Sequence, residues 1–388
     1  MSGEPDALHA PQPLNLPVLY IGVVSLLIAG LQPVVLGGLA EAGRLSVSGI
    51  GLAATAELLA LGAACGLSAA LLKPTHLRLK MLIACLAHAA CNLATLWVAD
   101  GALIGLRAVT GLFAGVMLWS TVGMISRSAR PERQAGIFVT VQTLAQLLLA
   151  TLLPRTVMVS MGVDGALAVL AVISVTAAAA AFAAPRDFAP LPKSETAGGG
   201  FSGLAWAGLA AVFLYMAFIV AIWVYLEPLA AAVGLPPARA HDAVAAALAM
   251  QVLGGLVATL VGERLKASHV LVGAGVINLG LVFALSSHPS GAAFIGLVAA
   301  FGFLWLFVLP FHTVLLIGID PTRRASMQLG AAQLLGSSAG PLAASLLVGD
   351  TDAGGAMKLA AACLVAALAL ILAVVTVLAR RGPLAEGV

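Results

Sequence analysis

The 388-residue chain predicts an all-α membrane protein of twelve spanning helices in two six-helix bundles. Three observations carry this. Hydrophobic residues make up 61% and charged residues 9%, with a mean hydropathy of +1.09. A soluble globular chain carries about 25% charge, so this one has too little to cover a water-facing surface. Apolar runs of bilayer length, roughly 20 residues each, recur twelve times between charged or Gly- and Pro-containing loops. The longest such loop falls at the centre of the chain.

In order, the expected spans are Leu16–Ala40, Ser46–Leu72, Leu79–Val98, Gly101–Ile125, Ala135–Ser160 and Gly165–Ala184. The second set is Leu204–Leu229, Asp242–Gly262, His269–Ser287, Ala292–Ile319, Ala325–Val348 and Ala356–Leu378. The segment APRDFAPLPKSETAGGGFSG between the sixth and seventh spans reads as a flexible linker from its Pro, Gly and Ser content. It divides the chain into an N-terminal bundle (1–184), a cytoplasmic linker (185–203) and a C-terminal bundle (204–388). The halves echo each other. KPTHLRLK follows the second span and ERLKAS the eighth, while SRSARPERQ follows the fourth and DPTRRAS the tenth.

Loop charge orients the chain. The set of loops holding Lys73, Arg78 and Lys80, and their even-numbered counterparts, carries fourteen of the nineteen basic residues. The positive-inside rule puts that set, and both termini, in the cytoplasm. The first residues, MSGEPDALHAPQPLN, lack a basic n-region, so no cleaved signal peptide is expected. A net charge of +3 gives no footprint for nucleic acid. Cys65, Cys85, Cys91 and Cys363 all lie in apolar runs without CxxC spacing, so neither a disulfide framework nor a metal site is expected. No nucleophile motif and no Gly-rich phosphate loop is present, so neither an enzyme nor a cofactor is expected.

The fourth span organises the rest. In GALIGLRAVTGLFAGVMLWSTVGMI, Arg107 is followed at four-residue steps by Gly111 and Gly115, on one helical face. A guanidinium in hydrocarbon must face protein, a partner or a water-filled cavity. The glycines let another helix approach closely. Glu57 in the second span is the other deeply placed charge. At about 1.5 Å per residue, Arg107 lies roughly 9 Å and Glu57 roughly 16 Å from the same end, within reach of a direct or water-bridged pair. Such a pair is either a proton-coupling device or a structural interhelical bridge.

At RAVTGLFAG, and at the loop SRSARPERQAG after it, the chain resembles the major facilitator superfamily of secondary transporters. The resemblance extends to the twelve spans, the two halves and the central linker. LSAALLKPTH lacks the acidic residue that family places after its second span, whereas the second-half counterpart, GERLK, retains Glu263. The resemblance implies a secondary carrier of a small organic solute in a bacterial inner membrane. It would be proton-coupled and monomeric, its partners being the lipid bilayer, the solute and protons. Efflux of amphiphilic compounds, or a membrane sensor or lipid-handling protein on the same scaffold, are the alternatives.

The resemblance also ranks residues. A wet passage between the bundles, bordered by Arg107, would be lined by the first, fourth, seventh and tenth spans and flanked by the second, fifth, eighth and eleventh. Arg107 and Glu57 then bind or couple. Gln32, Gln142 and Gln251 contact solute or merely join helices. Tyr215, Trp223 and Trp305 stack on an organic ring or pack in the core. His312, beside Pro310, titrates near neutrality or sits satisfied in the core. Glu227 reads as a solvated cap at a span end. His88 and Asn92, in the third span, read as helix-to-helix bonding. Lys73, Arg78, Lys80, Glu263 and Arg264 form an inner gate.

Overall fold

A computed structural model describes residues 15–128, 130–188, 201–320, 323–349 and 352–380. The middle of the linker therefore lies outside the described residues, as does the side chain of Glu263. Eleven helices among the described residues are long and apolar enough to cross a membrane. The twelfth is the eleventh span, which is cut into Arg324–Met327 and Leu329–Ser345 by Gln328 (φ −89°, ψ 0°). The chain is an all-α integral membrane protein of twelve spans in two six-helix bundles.

Most boundaries agree with the apolar runs, and the differences have local causes. The first span was expected to run unbroken, yet it divides at Leu26 into Leu16–Ser25 and Leu27–Glu41, with Pro33 inside the second piece. The seventh ends at Val224, hinges at Tyr225 and resumes as a short helix, Leu226–Ala232, containing Pro228. A proline has no N–H to give and its ring crowds the carbonyl four residues back. For Pro228 that carbonyl belongs to Val224, where the helix stops. The fifth span ends at Leu152 rather than Ser160, just ahead of Pro154. The sixth begins at Val157 and kinks at Gly162, whose φ of +58° a side chain would resist. The eighth starts at Pro237, five residues before the expected Asp242. Proline suits that first helical position, and the shift brings Arg239 and His241 onto the helix ahead of Asp242.

The two halves repeat one packing scheme. In the first, span two packs on four, three on six and on four, and one on four, five and six. Adding six to each number gives the pairs of the second half: eight on ten, nine on twelve and on ten, and seven on ten, eleven and twelve. Close backbone contacts repeat as well. A Cβ at Gly111 would strike the Glu57 carbonyl, and one at Gly302 would strike the Ala247 carbonyl. The halves meet through spans two with eleven and five with eight, and through span one against seven and eight.

With helices alternating in direction, the linker, the start of the first span and the end of the last share one side, here the linker side. On it, Arg78 donates to the Ala184 carbonyl at 2.6 Å and Lys80 to the carbonyls of Lys73 (2.5 Å) and Thr75 (2.7 Å). Those bonds tie the loop after span two to the end of span six, within the first half. Lys73 and Arg264 are exposed. Of the expected gate residues, Arg78 and Lys80 thus make these bonds within the first half.

Candidate functional site

The deepest polar group in the first half is built on the small faces of spans two and four. Because Gly111 and Gly115 lack side chains, span four rests on the backbone of Glu57 and Leu61. At that separation Arg107 reaches Glu57 with two bonds, Nη2 to Oε1 and Nε to Oε2, the latter 3.0 Å. Its Nη1 donates to Asn92 Oδ1 at 3.0 Å. The Asn92 amide donates to the His88 carbonyl at 3.1 Å, and His88 Nδ1 lies 2.8 Å from Ser174 Oγ. Spans two, four, three and six are thereby linked by one chain of polar contacts. Arg107 and Glu57 are both fully buried. A cavity beside Arg107 holds about 10 Å³, room for roughly one water, and is walled by Val24, Ile28 and Leu170 on its apolar side. The expectation of a wet passage at Arg107 is therefore corrected. The guanidinium faces a carboxylate inside one bundle, because its fork is filled by Glu57 and Asn92.

Where the halves meet, the broken first span is held from both sides. Pro33 cannot donate to the Ala29 carbonyl, so that acceptor is free of its helical partner. Trp223 Nε1, from the other half, donates to it at 2.9 Å. Gln146 Nε2 donates to the Leu26 carbonyl, at the break, at 2.7 Å. Gly30 makes room for that glutamine, since a Cβ there would strike its side chain. Gln146 is buried while Gln142 is only half-buried, so the residue one turn later than the favoured one makes this contact. Gln32 and Gln251 are both buried, and the amide nitrogen of each has no hydrogen-bond partner among the described residues. Trp223 packs edge-on against Trp305, 5.6 Å between centroids, and Trp305 against Phe301. Thr55 Oγ1 donates across the junction to the Ser338 carbonyl at 3.0 Å.

On the side opposite the linker, the short helix after Tyr225 carries Glu227 inward. Its carboxylate lies against Gly37 of span one, where no Cβ would fit, and Oε1 is 3.1 Å from His241 Nε2. Glu227 is 5% and His241 8% exposed, so the expected solvated cap is instead a buried pair. Arg155 reaches Asp242 across the halves at 2.5 Å, and Arg239 is 3.3 Å from the same carboxylate. His241 escaped the sequence reading because it fell one residue outside an expected span. The signal that could have found it is Pro237, which starts the helix early. In the second half, Asn278 donates to the Tyr215 hydroxyl at 3.1 Å, and the His312 ring sits 5.0 Å from the Tyr215 ring. His312 is fully buried and neither ring nitrogen has a hydrogen-bond partner among the described residues.

No protein-family model matches the chain, and no curated protein is similar to it in sequence. Solved structures are similar in fold. The nucleoside transporter NupG superposes with a TM-score of 0.68 at 10% identity, over 94% of this chain and 99% of that one. FucP, a major facilitator superfamily transporter in an outward conformation, gives 0.58 at 14% identity, over 93% and 98%. A bacterial homologue of the human lysosomal transporter Spinster, in an inward-facing and unoccupied conformation, gives 0.57 at 14%, over 97% and 96%. Twelve spans, repeated as six plus six and matched end to end by these transporters, are the fold of the major facilitator superfamily.

Proposed function

We propose that the chain is a secondary carrier that moves a small organic solute across a bacterial inner membrane by alternating access, with protons as the coupling ion. Two bundles would rock about a site between them. The observation that carries this reading is the clasp on the broken first span. Trp223 of one half replaces the helical partner that Pro33 denies to Ala29 of the other. A bond of that kind joins the halves and can be exchanged for water when they part.

The excess of Lys and Arg in the linker-side loops supports a cytoplasmic linker side. The clasp, the Thr55–Ser338 bond and the Arg155–Asp242 pair all lie toward the opposite, outer side. At the linker-side ends of the same spans, Leu71, Leu260 and Met327 are exposed. These features support an inward-facing state. The 1–184 and 204–388 units would be the rocking bodies. Gln32, Gln146, Gln251, Trp223 and Trp305, uncharged and partly aromatic, favour a neutral polar solute bearing a ring. NupG and FucP, a nucleoside transporter and a second carrier of this fold, make that class the first to screen.

One observation favours the amphiphile alternative. A cavity of about 280 Å³ opens on the outer side of the second half, apolar at Ile222, Leu226 and Phe294 and polar at His288, Asp352 and Lys358. The test is uptake of labelled nucleosides, sugars and amphiphiles into proteoliposomes under an imposed pH gradient. Flux that follows the gradient is expected, and no flux of any class would overturn the carrier reading.

A further inference from the structure

We infer that Glu227 and His241 form a proton-binding latch that seals the outer side of the carrier. The proposal rests on the carrier reading and deepens it. Its geometry is a three-way contact. The short helix after the Tyr225 hinge presses the Glu227 carboxylate onto Gly37 of the first span, and the eighth span brings His241 Nε2 within 3.1 Å of it. Both groups are nine-tenths buried, and they sit where the two halves close.

The neighbouring charges set the sign. Glu41, at the end of the first span, is near enough to act on both members of the pair, and Arg155 acts on His241. Arg155 already meets Asp242, which also takes Arg239. Tyr225 precedes the short helix with its hydroxyl against Gly51. On the other face of that helix, His288, Asp352 and Lys358 line the cavity. With one added proton, carried on Nε2 or on Oε1, the pair is neutral overall. Without it, the pair carries a net negative charge, enclosed and opposed by the charge of Glu41. Removing an uncompensated charge from water costs several kcal/mol, so closure takes up a proton from the outer side. Opening lets water reach the carboxylate and returns the proton to that side.

The sign follows from linkage. A proton held in the sealed state and not in the open one makes closure stronger as pH falls and weaker as it rises. The ratio of sealed to open changes by at most about tenfold per pH unit.

The test needs no solute. Spin labels at Ala42→Cys and Ala238→Cys, both exposed outer-side positions on opposite halves, report the gap. The full chain, with Cys65, Cys85, Cys91 and Cys363 replaced, is studied in nanodiscs between pH 5.5 and 9. The short-distance population is expected to fall as pH rises. Glu227→Gln, uncharged and isosteric, is expected to stay sealed throughout. Asp242→Asn is expected to lower the sealed fraction while keeping the pH slope. Distances that ignore pH, or a Glu227→Gln protein that titrates like wild type, would overturn the latch. Should Glu227→Gln fail to fold, His241→Gln decides, since an unchanged midpoint there overturns it equally. Flux is measured separately. A pH-driven gap without flux removes the carrier reading and leaves the latch, whereas flux through a protein with a pH-blind gap removes the latch alone.

Discussion

At the scale of single residues, the Arg107–Glu57 pair behaves as a closed unit. Each nitrogen of the guanidinium donates to a protein acceptor, and the side chain is fully buried. Arg107→Met leaves Glu57 buried without its cation, and a loss of about 3–5 kcal/mol is expected. The double variant Arg107→Met with Glu57→Leu removes both charges and is expected to recover most of that loss. Thermal unfolding in detergent, followed by size-exclusion, reads both. A double variant as unstable as the single one would mean that the charges do more than neutralise each other. The sequence setting required Arg107 to face protein, a partner or a wet cavity and put Glu57 at a depth within reach, but it left open whether the two bridge each other directly. Asn92 as third member depended on the azimuth of the third span, which apolar periodicity in a membrane does not report because most faces of these helices are apolar.

At the scale of elements, Pro154 and Pro228 mark where two spans end, and at Pro33 the other half decides what becomes of the freed carbonyl. Trp223→Phe keeps an aromatic group but leaves part of the buried indole's space empty; the lost donor to Ala29 adds a hydrogen-bond share of about 1 kcal/mol. Adding Pro33→Ala restores an N–H for the Ala29 carbonyl and is expected to return that share, while changing the sealed fraction measured by the outer-side labels. If Pro33→Ala gives no recovery, the clasp is not a substitute for the missing helical bond. Gly111→Val would press its branches on the Glu57 carbonyl. A loss of about 1–3 kcal/mol is expected from the forced separation, visible as a lower unfolding temperature. The span boundaries near Pro154 and Pro228 show how a purely hydropathic reading overruns, whereas at Pro237 it starts five residues late. Hydropathy continues through a proline, whereas the hydrogen-bond ladder does not.

At the scale of the whole molecule, the six-plus-six repeat and the proposed closure of its outer side make a mechanical prediction. Cysteines at Arg155 and Asp242, bridged by a reducible thiol-specific linker, should hold the outer side shut and abolish flux, and reduction should restore it. Flux that persists after complete cross-linking would show that transport does not require that side to open.

The number of spans, their pairing into two halves and their all-α character were legible in the chain, because a bilayer of fixed thickness demands apolar runs of one length and internally bonded backbone. Basic loops at matching positions supported the duplication, since each half repeats one connectivity. Side-chain partnership was not legible to the same degree. Whether Glu227 meets water or His241, whether Gln142 or Gln146 grips the first span, and whether Arg107 borders a passage or fills a bridge depend on rotations of whole helices about their axes. Packing between helices sets those rotations, at contacts as close as Gly37 on Glu227 and Gly111 on Glu57, and only the assembled fold contains them.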